Sequence, residues 1–179
     1  MIVETSRLLI KPITEESGQK LIKHPLAFYF TYQIAWNENW PHNGLLARLP
    51  LYTENLANGT QVVGFGPWFI VSKIDQRIIG DIGFHNPPDR EGAVELSYYI
   101  LPSERNTGFA TEAVEAMVGW AFYNGADEVK AQCDKRNEAS QRVLKHNYFE
   151  QIASKRDILV FRKEREVFGY YQESRKRGI

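Results

Sequence analysis

Cysteine is nearly absent: Cys133 stands alone in 179 residues, so the chain can form neither an internal disulfide nor a cysteine-rich zinc site. That scarcity suits a reducing compartment, and the cytoplasm is the expected location. No charge is in excess either. Lys+Arg 22 against Asp+Glu 22 gives zero formal charge, which argues against holding a long nucleic acid by phosphate neutralisation. No run of about eighteen apolar residues occurs, and the opening MIVETSRLLIKPI reaches charged residues too early for a signal peptide, so no membrane association is expected. Repeats, low-complexity tracts and Pro/Ser-rich linkers are missing as well. One domain spanning 1–179 is therefore expected, with a core over about 4–163 and a C-terminal tail over 164–179.

Several catalytic signatures are also lacking. There is no GxxxxGK[ST] phosphate loop, and neither GFGPWF nor GDIG continues into a GxGxxG dinucleotide fingerprint. No GxSxG elbow appears. His24, His42, His85 and His146 show no HExxH-like spacing, so no metal site is expected.

What is present is an alternation of short strands and helices. Arg7 to Ile13 reads as an opening strand, followed by a helix capped by Thr14 with Glu15 and Glu16 at its positive end. The stretch holding Phe28, Tyr29, Phe30, Tyr32, Trp36 and Trp40 has no clean period and reads as loop or broken helix. Leu45 to Leu56 has helical spacing. WFIVSK and RIIGDIGFH form a hairpin pattern, and VELSYYIL gives a third strand after the Pro87-Pro88-Asp89 turn. Val114, Met117, Val118, Ala121 and Phe122 mark a core-facing helix that ends at Asn124-Gly125. EVKAQC then reads as a fourth central strand, Asn137 to His146 as a shorter helix, and Phe149 to Ala153 and Ile158 to Arg162 as closing strands. The residues after Glu164 read as a helical tail at most.

The chemistry concentrates in VELSYYILPSERNTGFATEAVEAMVGWAF. A polar, glycine-containing turn, RNTGFA, leads from a strand into the strongest helix of the chain. Such a turn aims successive backbone N–H groups outward where the helix dipole is positive, which describes a phosphate or pyrophosphate site. An ordinary strand-to-helix connection relieved by Gly108 would look similar. Farther on, Lys135, Arg136, Arg142 and Lys145 gather around the next helix, opposed only by Asp134 and Glu138. This is either a basic cluster for an anionic ligand or a solvated helix face. Cys133 reads either as an acyl-accepting thiol or as a small core residue.

Four segments occur in a fixed order over about residues 4 to 150: ETSRLLIKPI, IIGDIGFHN, VELSYYILPSERNTGFATEA and RNEASQRVLKHNYF. With them the chain resembles the GNAT superfamily of acetyl-CoA-dependent N-acetyltransferases, and within it the branch of ribosomal-protein N-terminal acetyltransferases. The superfamily's acyl-CoA loop, Q/R-x-x-G-x-G/A, is satisfied by Arg105 to Ala110.

The resemblance implies an α/β GNAT-type fold: a mixed, mostly antiparallel sheet with a splayed central strand pair and helices on both faces. Acetyl-CoA would be the co-substrate, with no metal and no nucleic acid. Its pantetheine arm would pair with backbone near Ile100 and Leu101. Its pyrophosphate would rest on Arg105, Asn106, Thr107, Gly108, Phe109, Ala110 and Thr111, with Asn137 and Ser140 alongside. Glu95 is the implied candidate base and Ser140 the candidate acid for the departing thiolate. The acceptor would be an amine, on a protein N-terminus or a small molecule, and the protein a monomer or homodimer. A non-catalytic acyl-CoA-binding sensor is the alternative. The sequence departs from the family pattern at Asn106 and Ser97, where glycine is usual, and at Tyr148, where a Gly-Phe pair is usual.

Overall fold

A computed structural model describes residues 1–166. Its backbone forms one eight-stranded sheet with five α-helices. β1 (Val3–Glu4) and β2 (Leu8–Pro12) lead into α1 (Glu15–Lys23), α2 (Pro25–Tyr32) and α3 (Asn43–Ala57). The hairpin β3 (Pro67–Ser72) and β4 (Arg77–Phe84) is followed by β5 (Ala93–Ile100) and α4 (Phe109–Tyr123). β6 (Glu128–Asp134), α5 (Glu138–His146), β7 (Glu150–Lys155) and β8 (Ile158–Glu164) complete the described chain.

The strand order is β1-β2-β3-β4-β5-β6-β8-β7, and every neighbouring pair is antiparallel except β5–β6. This is the expected mixed, mostly antiparallel sheet. A parallel pair needs a crossover, and α4 supplies it. Along each strand the period of two sends alternate residues to opposite faces. Trp68, Ile70, Val94, Leu96, Val129, Ala131 and Phe161 pack beneath α4 and α5, together with Val114, Met117, Ala121 and Leu144. Phe69, Val71 and Ile78 point the other way and meet α1, α2 and α3 through Leu21, Phe28, Leu45 and Leu49. Helices therefore lie on both faces, but α1–α3 cover only part of theirs. The same face of β6 and β8 carries Glu128, Lys130, Gln132 and Arg162, tied by ion pairs such as Lys130–Glu128 at 2.9 Å rather than by an apolar cluster.

Local signals explain most element ends. Thr14 accepts a bond from Ser17 N at 3.2 Å while Ser17 Oγ accepts one from Thr14 N at 2.8 Å, a reciprocal cap that starts α1. The aromatic stretch resolves into a two-turn helix and a following loop. α2 has no clean period because it is apolar on both faces: Phe28 and Tyr29 are buried, while Leu26 and Phe30 are exposed. The two-residue strand β1 was not expected. Of the residues expected to form a tail, 167–179 lie outside the described residues.

Candidate active site

β5 and β6 pair from Ala93↔Glu128 to Leu96↔Ala131 and then part, although β5 continues to Ile100 and β6 to Asp134. The sheet opens there from within. Glu95 O accepts from His85 N and Leu101 N donates to Ile79 O, so these residues turn their backbone groups toward the β4 side. By the alternation of an extended strand, Tyr98 and Ile100 turn theirs into the gap. A cleft of about 590 Å³ occupies this opening, lined by Tyr98 to Ile100, by Glu104 to Thr111 and by one side of α5.

The loop at the cleft mouth has an irregular backbone for a definite reason. Asn106 has φ 63° and Gly108 φ 83°, two left-handed residues separated by Thr107. Asparagine tolerates that region better than other side chains, so Asn106 does what a glycine would do. Gly108 caps α4 and has no side chain to offer its orphan amides. The first N–H groups of this 15-residue helix are therefore left for something else, at the positive end of its dipole. Arg105 Nε donates to Ile100 O at 3.0 Å, and its guanidinium stands 5.5 Å from the centroid of the Tyr99 ring.

α5 forms the opposite wall. Asn137 Oδ1 accepts from Ser140 N at 3.0 Å, the N-cap bond of α5, which leaves the Asn137 Nδ2 group without a partner among the described residues. Tyr98 bridges the splay by donating to Ser140 O at 3.3 Å, and burial pushes its phenol pKa up to about 12. Ser140 lines the cleft with Ala139, Arg142, Val143 and His146.

On the other face of β5, Tyr99 packs against His42 with ring centroids 4.2 Å apart. Asp81, buried in β4, accepts from Trp40 Nε1 at 3.0 Å and lies 3.3 Å from His42 Nε2. His42 Nδ1 accepts from Gly44 N at 3.0 Å, so the proton sits on Nε2 and donates to Asp81. This imidazole is fully engaged at the start of α3.

The expected residues divide clearly. Ile100, Arg105 to Thr111, Asn137 and Ser140 come together around one cleft. Leu101 does not join them: it is buried in the α1–α3 cluster and its amide is committed to Ile79. Glu95 also lies outside the lining, half exposed, with Oε1 accepting from Gln132 Nε2 at 3.2 Å and Oε2 3.7 Å from His85 Nδ1. Of the basic group only Arg142 reaches the cleft, whereas Lys135, Arg136 and Lys145 do not. Cys133 is a core residue, its thiol pKa pushed up by burial and by the neighbouring Asp134 charge. Tyr148, at φ 60°, is 83% exposed and does not line the cleft.

Two acids were missed altogether. Glu112 accepts from Thr5, Ser6 and Arg7, and Asp81 gathers Trp40 and His42. The signal for the first lay in the polar triplet Thr5-Ser6-Arg7 just ahead of a buried strand.

Comparison with known proteins shows the family and the fold. The model of the acetyltransferase (GNAT) domain matches residues 7–150. The chain is 27% identical over 149 residues to the uncharacterized N-acetyltransferase YjdG of Bacillus subtilis (strain 168), covering 80% of this chain and 86% of that protein. The ribosomal-protein-S5-alanine acetyltransferase of Vibrio fischeri has the same fold, with a TM-score of 0.64 and 17% identity over 92% of this chain and 96% of that one. RimL, a ribosomal L7/L12 alpha-N-protein acetyltransferase solved with coenzyme A, gives a TM-score of 0.64 and 15% identity over 92% of this chain and 98% of its own.

Proposed function

The chain belongs to the GNAT acetyltransferase family and moves acetyl from acetyl-CoA to an amine; from that premise we propose that the β5–β6 gap is its cofactor site and that the acceptor is an α-amine. The observation carrying the site is the coincidence of two unsatisfied backbone systems at one cleft. The inner edge of β5 at Tyr98 and Ile100, where Arg105 covers the Ile100 carbonyl but not its N–H, suits the amide-bearing pantetheine arm, and the uncapped amides of α4 suit the diphosphate. Asn137 Nδ2 adds a donor from α5. Arg142, on the adenosine side, is held only by a 3.5 Å contact with Glu138 and is free to swing.

When bound, acetyl-CoA supplies an activated thioester carbonyl. The chain then has three tasks. Backbone N–H groups of β5 in the gap would be the donors available to the carbonyl oxygen as negative charge develops on it. The walls formed by Tyr98 and α5 orient the acyl group. Ser140 can donate a proton to the departing thiolate, although a thiol with pKa near 8.5 needs little help.

Acceptor chemistry follows from what lies near the gap. At pH 7 a lysine side chain costs about 4.6 kcal/mol to deprotonate, an α-amine only about 1 to 1.4 kcal/mol. His42 spends both nitrogens on Asp81 and Gly44, and Glu95 stands outside the cleft lining. With no unengaged base in the lining beyond His146, an α-amine is the favoured nucleophile. The structurally similar RimL and Vibrio fischeri enzymes are described as acting on ribosomal proteins, which supports a protein N-terminus. The approach would be over the uncovered face of β5 and β6, past Ser97 and Glu95. The location proposed is the cytoplasm, in keeping with the single cysteine; among the described residues no helix is long and apolar enough to cross a membrane.

The test is calorimetric titration with acetyl-CoA beside ATP and a short RNA, followed by thiol-release assays on peptides with free or blocked N-termini. Micromolar binding of acetyl-CoA alone and activity only on free N-termini are expected. Failure to bind acetyl-CoA would remove the cofactor site, and equal rates on lysine side chains of N-terminally blocked peptides would remove the acceptor assignment.

A further inference from the structure

Arg7 and Glu112 lie 105 residues apart and meet behind the loop. Glu112, in the first turn of α4, has a side chain only 16% exposed. Its Oε1 accepts from Thr5 Oγ1 at 2.5 Å, Ser6 Oγ at 3.1 Å and Arg7 N at 3.0 Å. Its Oε2 takes Arg7 Nε and Nη2, both at 2.6 Å. Burial alone would raise this carboxyl's pKa; the bonds from Thr5, Arg7 and Ser6 outweigh it and leave the pKa below the ordinary value.

The same guanidinium reaches the loop. Nη1 donates to Thr107 O at 2.9 Å, the guanidinium carbon stands 4.6 Å from the Phe109 ring centroid, and Nη2 is 3.4 Å from where a Cβ on Gly108 would sit. The Thr107–Gly108 peptide is trans, so fixing Thr107 O toward Arg7 turns Gly108 N–H the opposite way. Gly108 lines the cleft and Arg7 does not. Charge matters as well as direction. A carboxylate in the first turn favours the helix but opposes an anion bound at the same terminus, and Arg7 cancels it.

We propose that Arg7 and Glu112 are positioning residues for the acyl-CoA loop: the Thr5-Ser6-Arg7 turn fixes the Thr107–Gly108 peptide and neutralises Glu112 beside the diphosphate. The proposal rests on the reading of residues 105–111 as the diphosphate loop. Neither side chain need touch the cofactor. Their effect should be confined to ligands that carry a diphosphate.

The experiment measures CoA affinity by calorimetry and pantetheine affinity by chemical-shift titration, with thermal melting as a check on the fold. Arg7→Ala should weaken CoA about tenfold, within the range of such couplings, and leave pantetheine unchanged within about twofold. Arg7→Ala combined with Glu112→Gln should bind CoA more tightly than Arg7→Ala alone, because no unpaired carboxylate then faces the diphosphate. Arg7→Lys keeps the charge and the stem but not the planar fork; it should fall between the unaltered protein and Arg7→Ala, and it serves as the test if the alanine variant does not fold. Equal CoA affinity in Arg7→Ala and the unaltered protein, a parallel loss for pantetheine, or a double variant weaker than Arg7→Ala would each overturn the proposal. A protein that binds pantetheine but never CoA would instead defeat the diphosphate-loop reading beneath it.

Discussion

In one half of the sheet β2–β4 are covered on both faces; in the other, β6 and β8 are covered on one. In the first half Phe69 is fully buried among Phe28, Tyr32 and Trp40, with ring centroids 5.2, 5.3 and 6.1 Å away. On the same face of the second half Gln132 is exposed and Lys130 and Arg162 pair with Glu128. Stability is therefore concentrated where nothing needs to enter. The half that parts at Leu96 and Ala131 leaves backbone groups unsatisfied, and these are the groups a ligand can use.

The sharpest way to break this contrast is by stability. Phe69→Ala should cost about 3–5 kcal/mol in urea unfolding, the usual range for an aromatic removed from a core. Gln132→Ala should stay within about 0.5 kcal/mol. Similar losses at both positions would erase the distinction.

Function should show the reverse order. Gly108→Glu places a carboxylate and a strained left-handed backbone at the amides of α4, yet an added Cβ meets nothing closer than Arg7 Nη2 at 3.4 Å. CoA affinity should fall about a hundredfold or more, equivalent to about 2.7 kcal/mol, while the melting midpoint drops by only a few degrees. Unchanged affinity would sink the loop assignment.

Glu95 tests where the boundary between the regions lies. Glu95→Gln should leave CoA affinity intact and lower turnover by less than about tenfold, against the 10²–10⁴ expected of a well-placed base. Both forms should gain rate from about pH 6 to about pH 8 as an α-amine acceptor loses its proton. A loss beyond about a hundredfold would bring Glu95 into the machinery.

The smallest effect concerns acid. Because the folded-state pKa of Glu112 is lowered, its stabilisation is present above the unfolded value near 4.5 and is lost as pH falls through the folded value. Glu112→Gln should flatten the decline in stability below about pH 4.5, read by melting across pH. An unchanged slope would show that the contact contributes nothing net.

The strands were largely legible because β2 and β6 alternate, β3 and β4 are short apolar runs buried on both faces, and the turns between strands carry Pro, Asp and Gly. α4 was legible because a core-facing helix repeats at i, i+3, i+4. α2 was not, since apolar residues on every side leave no period to detect. The cleft was legible as a loop motif in the residues themselves, and as a gap only through the family resemblance: nothing local to β5 or β6 states where their pairing stops. The resemblance put Leu101 at the gap with Ile100, whereas the period of two sends its side chain to the α1–α3 face and its amide to Ile79. The basic residues left two readings open for a similar reason. Lys135, Arg136 and Lys145 are near Arg142 in sequence, but only Arg142 lies on the side of α5 that meets the cleft. The bond from Arg7 to Glu112 spans 105 residues, and no single-sequence pattern reaches that far.

Unpaired strand edges are ordinarily a hazard, because another chain can add to them and begin aggregation. The outer edges of this sheet are blunted: β1 is two residues long, and the pairing of β7 is interrupted by a register shift between Gln151 and Ala153. A further open edge is internal. The RNTGFA loop and α5 fence it, which suits the thin, extended, amide-bearing molecule proposed to lie there better than a second polypeptide sheet. Hazard and site are thus the same feature seen at two widths. Filling it should protect the Tyr98 and Ile100 amides from solvent exchange and leave the outer strands as they were.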